Sequence, residues 1–271
     1  MSAETNITDV IAFYHDLCTP AMAAATWSEL EQGMRDRRLF FGDRPLCTVL
    51  RPHLLTQAQW DYVVGVCEQL LSAFNKIYNA MMADPRLRQQ VALTPTEEYL
   101  ITLETGYETP VPTARLDSFL SHDGTLHFVE YNAESPAAMA YEDVLSEVFL
   151  QTPLLRKFQE RYPLQPLWAR QHAVDAILEI YYAWRGNRGA LPTIAIVDWH
   201  GVPTANEFIL FQEYFARQGI QSVIVSPDEL EYRHGAMIAH GAGGGLAVDF
   251  IYKRVLSTEL LERYGLNHPI I

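Results

Sequence analysis

A mixed α/β fold is predicted for this chain from three observations. Apolar residues recur at helical spacing up to about residue 110, two strand-like runs flank Asp123-Gly124, and strand, helix and strand alternate from Pro192 onward. With 271 residues, 49% of them apolar, the chain can bury a core sufficient for one large or two modest domains. The expected division is a mainly helical region over 1–165, carrying a charged hairpin at 113–132, and an α/β region over 166–271.

The helical region is read from its start and stop signals. Residues 8–17 form a short amphipathic segment, and 28–37 read as a second helix, with Ser28 as its cap and Glu31 three residues on. Thr56 opens the longest helix, which runs to Met82 before Asp84-Pro85 interrupts it. Cys67 lies on its apolar pattern and is expected in the core. Thr94-Pro95-Thr96-Glu97 marks a further helix start, with proline tolerated in the first turn. These helices are read as packing elements, and only the Asp43-Arg44-Pro45 loop among them could reach a ligand.

The runs 114–119 and 126–134 read as a hairpin on a two-residue type I′ turn, Asp123-Gly124. That turn sets 122 opposite 125, 117 opposite 130 and 115 opposite 132. Side chains alternate along strands, so Arg115, Asp117, Glu130 and Asn132 share one face. A purely structural hairpin would bury apolar residues there, and two facing carboxylates repel unless a cation lies between them. Oxygen ligands suit a hard cation such as Mg2+, which takes one or two carboxylates, waters and phosphate oxygens. Arg115 suits a phosphoryl oxygen and would keep Asp117 ionised. The other reading of the same four residues is an exposed face with an arginine–carboxylate surface pair.

After the hairpin, residues 134–140 make a small-residue turn into a helix over 141–150. Such a turn either lets backbone approach a bound group or is a plain connector. A helix over 167–184 ends at Arg185-Gly186-Asn187. The apolar run 193–198 is typical of a buried parallel strand, 206–218 supplies a crossover helix ending at Gly219, and 221–225 is the returning strand. Ligands of such sheets sit beyond the carboxyl ends of the strands. That makes Asp198, Trp199, His200, Thr204 and Ser226-Pro227-Asp228 a second candidate site. The glycine cluster 240–245 precedes another strand, 246–252, rather than a helix, so it reads as a hairpin loop and not as a dinucleotide fingerprint. A flexible phosphate-covering loop is its alternative.

Composition excludes several classes. A net charge of −13 without any basic run argues against a nucleic-acid partner. No run of about 18 apolar residues occurs, and Met1-Ser2-Ala3-Glu4-Thr5 carries no basic leader, so a cytoplasmic protein with no membrane partner is expected. Cys18, Cys47 and Cys67 are too sparse for a disulfide framework or zinc knuckle, and the nine histidines show no metal-ligand spacing.

The pattern Arg115-x-Asp117, a short spacer and Glu130-x-Asn132 resembles the Mg-ATP hairpin of the ATP-grasp ligases. Its early place in the chain, and the text Phe128-Val129-Glu130-Tyr131-Asn132-Ala133-Glu134-Ser135-Pro136, are similar to the circularly permuted branch. That branch includes glutathionylspermidine synthetase and eukaryotic-type glutathione synthetase. Asp249-Phe250-Ile251-Tyr252-Lys253-Arg254 with Leu260-Leu261 also resembles a segment of that branch. The resemblance implies that Asp117, Glu130 and Asn132 hold Mg2+, and that Arg115 and Asn132 bind ATP, with Arg115 catalytic at the transferred phosphate. Residues 166–271 would be a Rossmann-like pre-ATP-grasp domain, and Glu134, Ser135, Asp198, Thr204 and Arg254 would contact substrate. The implied reaction is ATP-dependent joining of a small-molecule carboxylate to an amine through an acyl phosphate.

In that branch the remaining lysines and the adenine-gripping strand follow the segment that Asp249 to Arg254 matches. Here only 255–271 follows, so the sequence is expected to be the N-terminal portion of a longer ligase and to bind Mg-ATP poorly alone. Two other classes stay open. One is a non-catalytic small-molecule-binding or regulatory domain; the other is a hydrolase using Asp117 and Glu130 as an acid–base pair, in which Arg115 and Asn132 have no required place.

Overall fold

The computed structural model describes residues 6–121, 123–241 and 243–271. His122 of the expected turn, Ala242 of the glycine cluster and residues 1–5 lie outside them. The fold is mixed α/β, as expected. Helix α1 (Ile7–Leu17) starts at Asn6, whose side chain accepts from the Thr8 N–H. Helix α2 (Pro20–Asp36) starts well before the expected position: Thr19 caps it, Pro20 occupies its first turn, and Ser28 lies in its interior. The correction has a local cause, since Thr19-Pro20 is the stronger start signal and the alanines that follow propagate the helix. Strands β1 (Phe40–Phe41) and β2 (Arg44–Pro45) form a minimal hairpin whose Gly42 N–H donates to Pro203 O.

Helix α3 (Gln57–Ala83) begins on the Thr56/Gln59 capping box and ends at Asp84, where α4 (Pro85–Arg88) takes over. Helix α5 (Pro95–Leu100) carries a second capping box, Thr94/Glu97. None of these three helices buries a residue fully. Cys67 is therefore half-buried and not in the core, a correction to its expected place. Part of the apolar face of α3 is covered by the hairpin β3 (Arg115–Leu120) and β4 (Leu126–Asn132), with Phe74 stacked on Tyr131 at 4.6 Å.

Helices α6 (Met139–Gln151), α7 (Pro153–Gln159) and α8 (Ala169–Arg185) follow, α8 ending at Gly186 with φ +74°. Then come β5 (Ile194–Val197), α9 (Ala205–Arg217), β6 (Ser222–Val225), β7 (Leu230–Arg233), β8 (Ala236–Gly241), β9 (Gly244–Val248), β10 (Phe250–Lys253) and α10 (Ser257–Tyr264). The order β10-β5-β6 makes a parallel sheet, and β7-β8-β9 an antiparallel one. The glycine cluster joins β8 to β9, in line with the hairpin reading.

The run 246–252, expected as one strand, is two. The Asp249 side chain accepts from the Thr193 N–H, while the N–H groups of Asp249 and Phe250 both donate to Thr193 O. Those bonds hand the chain from an antiparallel partner, β8, to a parallel one, β5.

Strand β5 is buried on both faces. Ile194 and Ile196 join a cluster with Phe208 and Phe211 of α9, Val144 of α6 and Tyr14 of α1, so residues on both sides of position 165 share one core. Ala195 and Val197 face a second cluster with Val225, Leu230, Ala239 and Leu260. Among the described residues no helix is long and apolar enough to cross a membrane.

Candidate functional site

The hairpin loop is longer than the sequence suggests. Ser121 N–H donates to Thr125 O and Gly124 N–H to Ser121 O, so three residues separate paired positions, with Gly124 at φ +85°. This corrects the two-residue turn. A bulge then leaves Val129 unpaired, because Asp117 pairs with Glu130 while Ser118 pairs with Phe128. The two offsets cancel, and Arg115 still faces Asn132. The bulge also puts Phe128 on the face opposite Glu130, so the four polar side chains share a face that Phe128 and Tyr131 do not occupy.

Arg115 is the hub of that face. Its Nε donates to Asp117 Oδ1 at 2.6 Å and an Nη to Asp117 Oδ2 at 3.3 Å; the same Nη reaches Glu130 Oε1 at 3.4 Å. Asn132 Nδ2 donates to Glu130 Oε1 at 2.6 Å. The hydrogen bond from Arg115 holds the Asp117 carboxyl below its ordinary range, and Asp117 in turn raises the guanidinium. Side-chain exposures of 40%, 38% and 53% for Arg115, Asp117 and Glu130 leave the group open to a ligand, and make it a weak contributor to stability.

The donor set fits Mg2+ in chemistry: two carboxylates and an amide oxygen on one hydrated face are hard ligands in the number that ion uses from protein. Arg115, however, already supplies positive charge between the two carboxylates, so their facing positions do not by themselves require a metal. No group of three or more His, Cys, Asp or Glu side chains arranged to hold a metal occurs among the described residues.

Residues 133–138 lead from β4 to α6 and pack against the carboxyl end of β10. Ser135 Oγ donates to Lys253 O at 3.2 Å. Glu134 Oε1 accepts from Lys253 Nζ, from Ser257 N–H at 2.8 Å and from Ser257 Oγ at 2.7 Å. Burial pushes the Glu134 carboxyl up, but those bonds outweigh it and hold the group low. Ser135 and Ala138 take φ of +51° and +86°, the left-handed region that side chains disfavour. Arg115 donates to Ala137 O at 3.3 Å, and Arg254 donates to Pro136 O.

Arg254, 6% exposed, lies 3.6 Å from the carboxylate of Glu207, which is 0% exposed. Glu207 Oε1 accepts from Ala140 N–H at 3.2 Å, capping α6, whose own N-cap residue Ala138 offers no side-chain bond. Burial raises the Glu207 carboxyl, opposed by Arg254 and more weakly by Arg115. Asp198 stands at the end of β5, half-buried, accepting from the Trp199 N–H at 2.8 Å. Burial raises its carboxyl too, against the pull of Arg254 and Lys253.

The structure thus assembles Arg115, Asp117, Glu130 and Asn132 on one face and joins them through residues 134–138 to Arg254, with Asp198 beyond it. Thr204 is the N-cap residue of α9, and its side chain makes no capping bond. Glu207, Lys253 and Ser257 were not singled out from sequence. An acid in the first turn of a crossover helix reads as ordinary dipole compensation, and only its burial against Arg254 marks Glu207 as more. No family model matches the chain, and comparison with curated proteins gives no match.

Proposed function

We propose that the chain is the part of an ATP-dependent carboxylate–amine ligase that carries the phosphate-holding hairpin, on a Rossmann-like α/β layer of the permuted ATP-grasp kind. The observation that carries this reading is the tie between the Arg115 group and residues 134–138 at the carboxyl edge of the parallel sheet, where small molecules sit in open α/β sheets. A phosphoryl donor and a carboxylate acceptor would meet between the two.

In this reading Arg115 turns its fork from Asp117 toward the transferred phosphoryl group and offsets the charge that develops there. Asp117, Glu130 and Asn132 would hold Mg2+, which when bound neutralises phosphate oxygens. Glu134 and Ser135 hold the connecting loop against Lys253 and α10, and Asp198 and Arg254 border the acceptor side. An acyl phosphate formed on the substrate is then open to attack by an amine. A cytoplasmic setting, with ATP and small carboxylate and amine substrates, belongs to the same reading.

One observation favours a second reading, a non-catalytic small-molecule-binding domain: Arg115 already fills the gap between the carboxylates. The experiment that separates them is ADP release by the product of the native reading frame, with and without Mg2+ and amine, compared with Glu130→Gln. Release that needs both, and that falls about 100-fold or more in the variant, supports the ligase. Unchanged release in Glu130→Gln, or a fold stabilised by a ligand with no metal and no ATP turnover, would favour the binding domain.

A further inference from the structure

A second polar cleft, of about 220 Å³, opens where the end of α2, α6, the start of α8 and α9 meet. It shares no lining residue with the hairpin or with residues 134–138. Four arginines line it, Arg37, Arg38, Arg170 and Arg217, in a chain of net charge −13. We propose that this cleft binds a phosphate-sized oxyanion, either free phosphate or the phosphate group of a small ester.

Arg170 forms the floor, its side chain 5% exposed. One of its nitrogens reaches Glu147 Oε1 at 3.2 Å, while its buried Nε has no hydrogen-bond partner and only approaches Asp143 Oδ2 at 3.4 Å. That Nε is buried against the Asp143 carboxylate and closed to the cleft, so an anion there would meet the other nitrogens of the guanidinium. Glu147 is shared between two arginines, its other carboxylate oxygen taking Arg37. The guanidinium carbons of Arg170 and Arg217 lie 4.5 and 5.4 Å from the centre of one ring, Tyr214, which ties both side chains to this end of α9. Arg38 and Arg217 make no ion pair among the described residues.

Carboxylates line the cleft as well, and their placement sets the balance. Asp143 is consumed beneath the floor by the N–H groups of Ala169 and Arg170. Asp36, bonded by Gln32, and Glu213 stand exposed at the mouth, where water screens them. Counted over the whole lining, four guanidiniums face three carboxylates, two of the four make no ion pair among the described residues, and guanidinium forks match the geometry of an oxyanion. The volume falls below the roughly 300–1,000 Å³ of sites for larger organic ligands, which selects phosphate or a small phosphate ester over a nucleotide.

The test is thermal unfolding and titration calorimetry with inorganic phosphate in Mg-free buffer, with ionic strength balanced by chloride. One saturable site is expected, with a rise of a few degrees in Tm once phosphate exceeds its Kd about tenfold. Arg38→Ala and Arg217→Ala, at the exposed rim, should each weaken binding about tenfold, and together abolish it. Arg115→Ala should leave it unchanged. Tighter binding of glycerol phosphate would name an ester as the occupant, and equal affinity the free anion. No saturable effect by either method, or binding that survives the double variant and is lost in Arg115→Ala, would overturn the proposal without touching the ligase reading.

Discussion

Arg115 and Arg254 donate to consecutive carbonyls, Arg115 to Ala137 O and Arg254 to Pro136 O. One arginine belongs to the hairpin and the other follows the last strand of the parallel sheet. The segment between them is therefore gripped from both sides, which is what can hold Ser135 and Ala138 in left-handed backbone against a cost of about 1–2 kcal/mol each. The hairpin, which buries little of itself, is positioned on the sheet by this grip as well as by its packing on α3.

Glu207 underlies the grip, because it both faces Arg254 and caps α6. Glu207→Ala strands a buried guanidinium, and should destabilise the fold by about 3–5 kcal/mol in urea unfolding. Replacing both partners, Glu207→Leu with Arg254→Met, should recover much of that loss, since two apolar side chains leave no buried charge unpaired. A single-variant loss under about 1 kcal/mol would show that the pair does not hold this region.

Asp117 gives a pH signature. Its folded carboxyl is held below the unfolded value, first by the hydrogen bond from Arg115, so the stability it adds is complete above about pH 4 and is lost as pH falls through the folded value. The difference in stability between wild type and Asp117→Asn should thus be flat near neutrality and shrink in acid. With 38% of the side chain exposed, it should be small throughout. Urea midpoints across pH check this, and a difference that widens toward acid contradicts it.

Asp198 behaves oppositely. Burial raises its folded value, so the folded state keeps its proton to higher pH than the unfolded chain, and stability falls as pH rises from about 4 through the folded value. Asp198→Asn should be more stable than wild type at pH 7, with the gain vanishing below about pH 4. A less stable variant at pH 7 would mean that Arg254 and Lys253 need its charge more than burial opposes it.

Local signals were legible and docking was not. Thr56/Gln59 and Thr94/Glu97 mark their helices because each capping box closes within one turn. The pairing of Arg115 with Asn132 was legible for a partly mistaken reason, since a three-residue loop and the Val129 bulge each shift the register by one and cancel. Glu207 and Arg254 meet only because α9 packs on the parallel sheet, with Phe211 against Tyr252 of β10, which no local pattern announces. The break at Asp249 depends likewise on Thr193, distant in sequence.

Two positive-φ residues near the site should respond to substitution with opposite signs. Gly124, φ +85°, has open space where a Cβ would stand, so Gly124→Ala isolates the backbone term and should destabilise by about 1 kcal/mol. Ala138, φ +86°, already bears that strain, and Ala138→Gly relieves it. Relief of about 1–2 kcal/mol is offset by the greater freedom of glycine in the unfolded chain, about 0.4–1 kcal/mol, leaving a net gain between about 0 and 1.6 kcal/mol. Thermal unfolding of both variants decides it. If Ala138→Gly lowers Tm, the clamp by Arg115 and Arg254 depends on contacts of the Ala138 methyl and not on the backbone conformation it enforces.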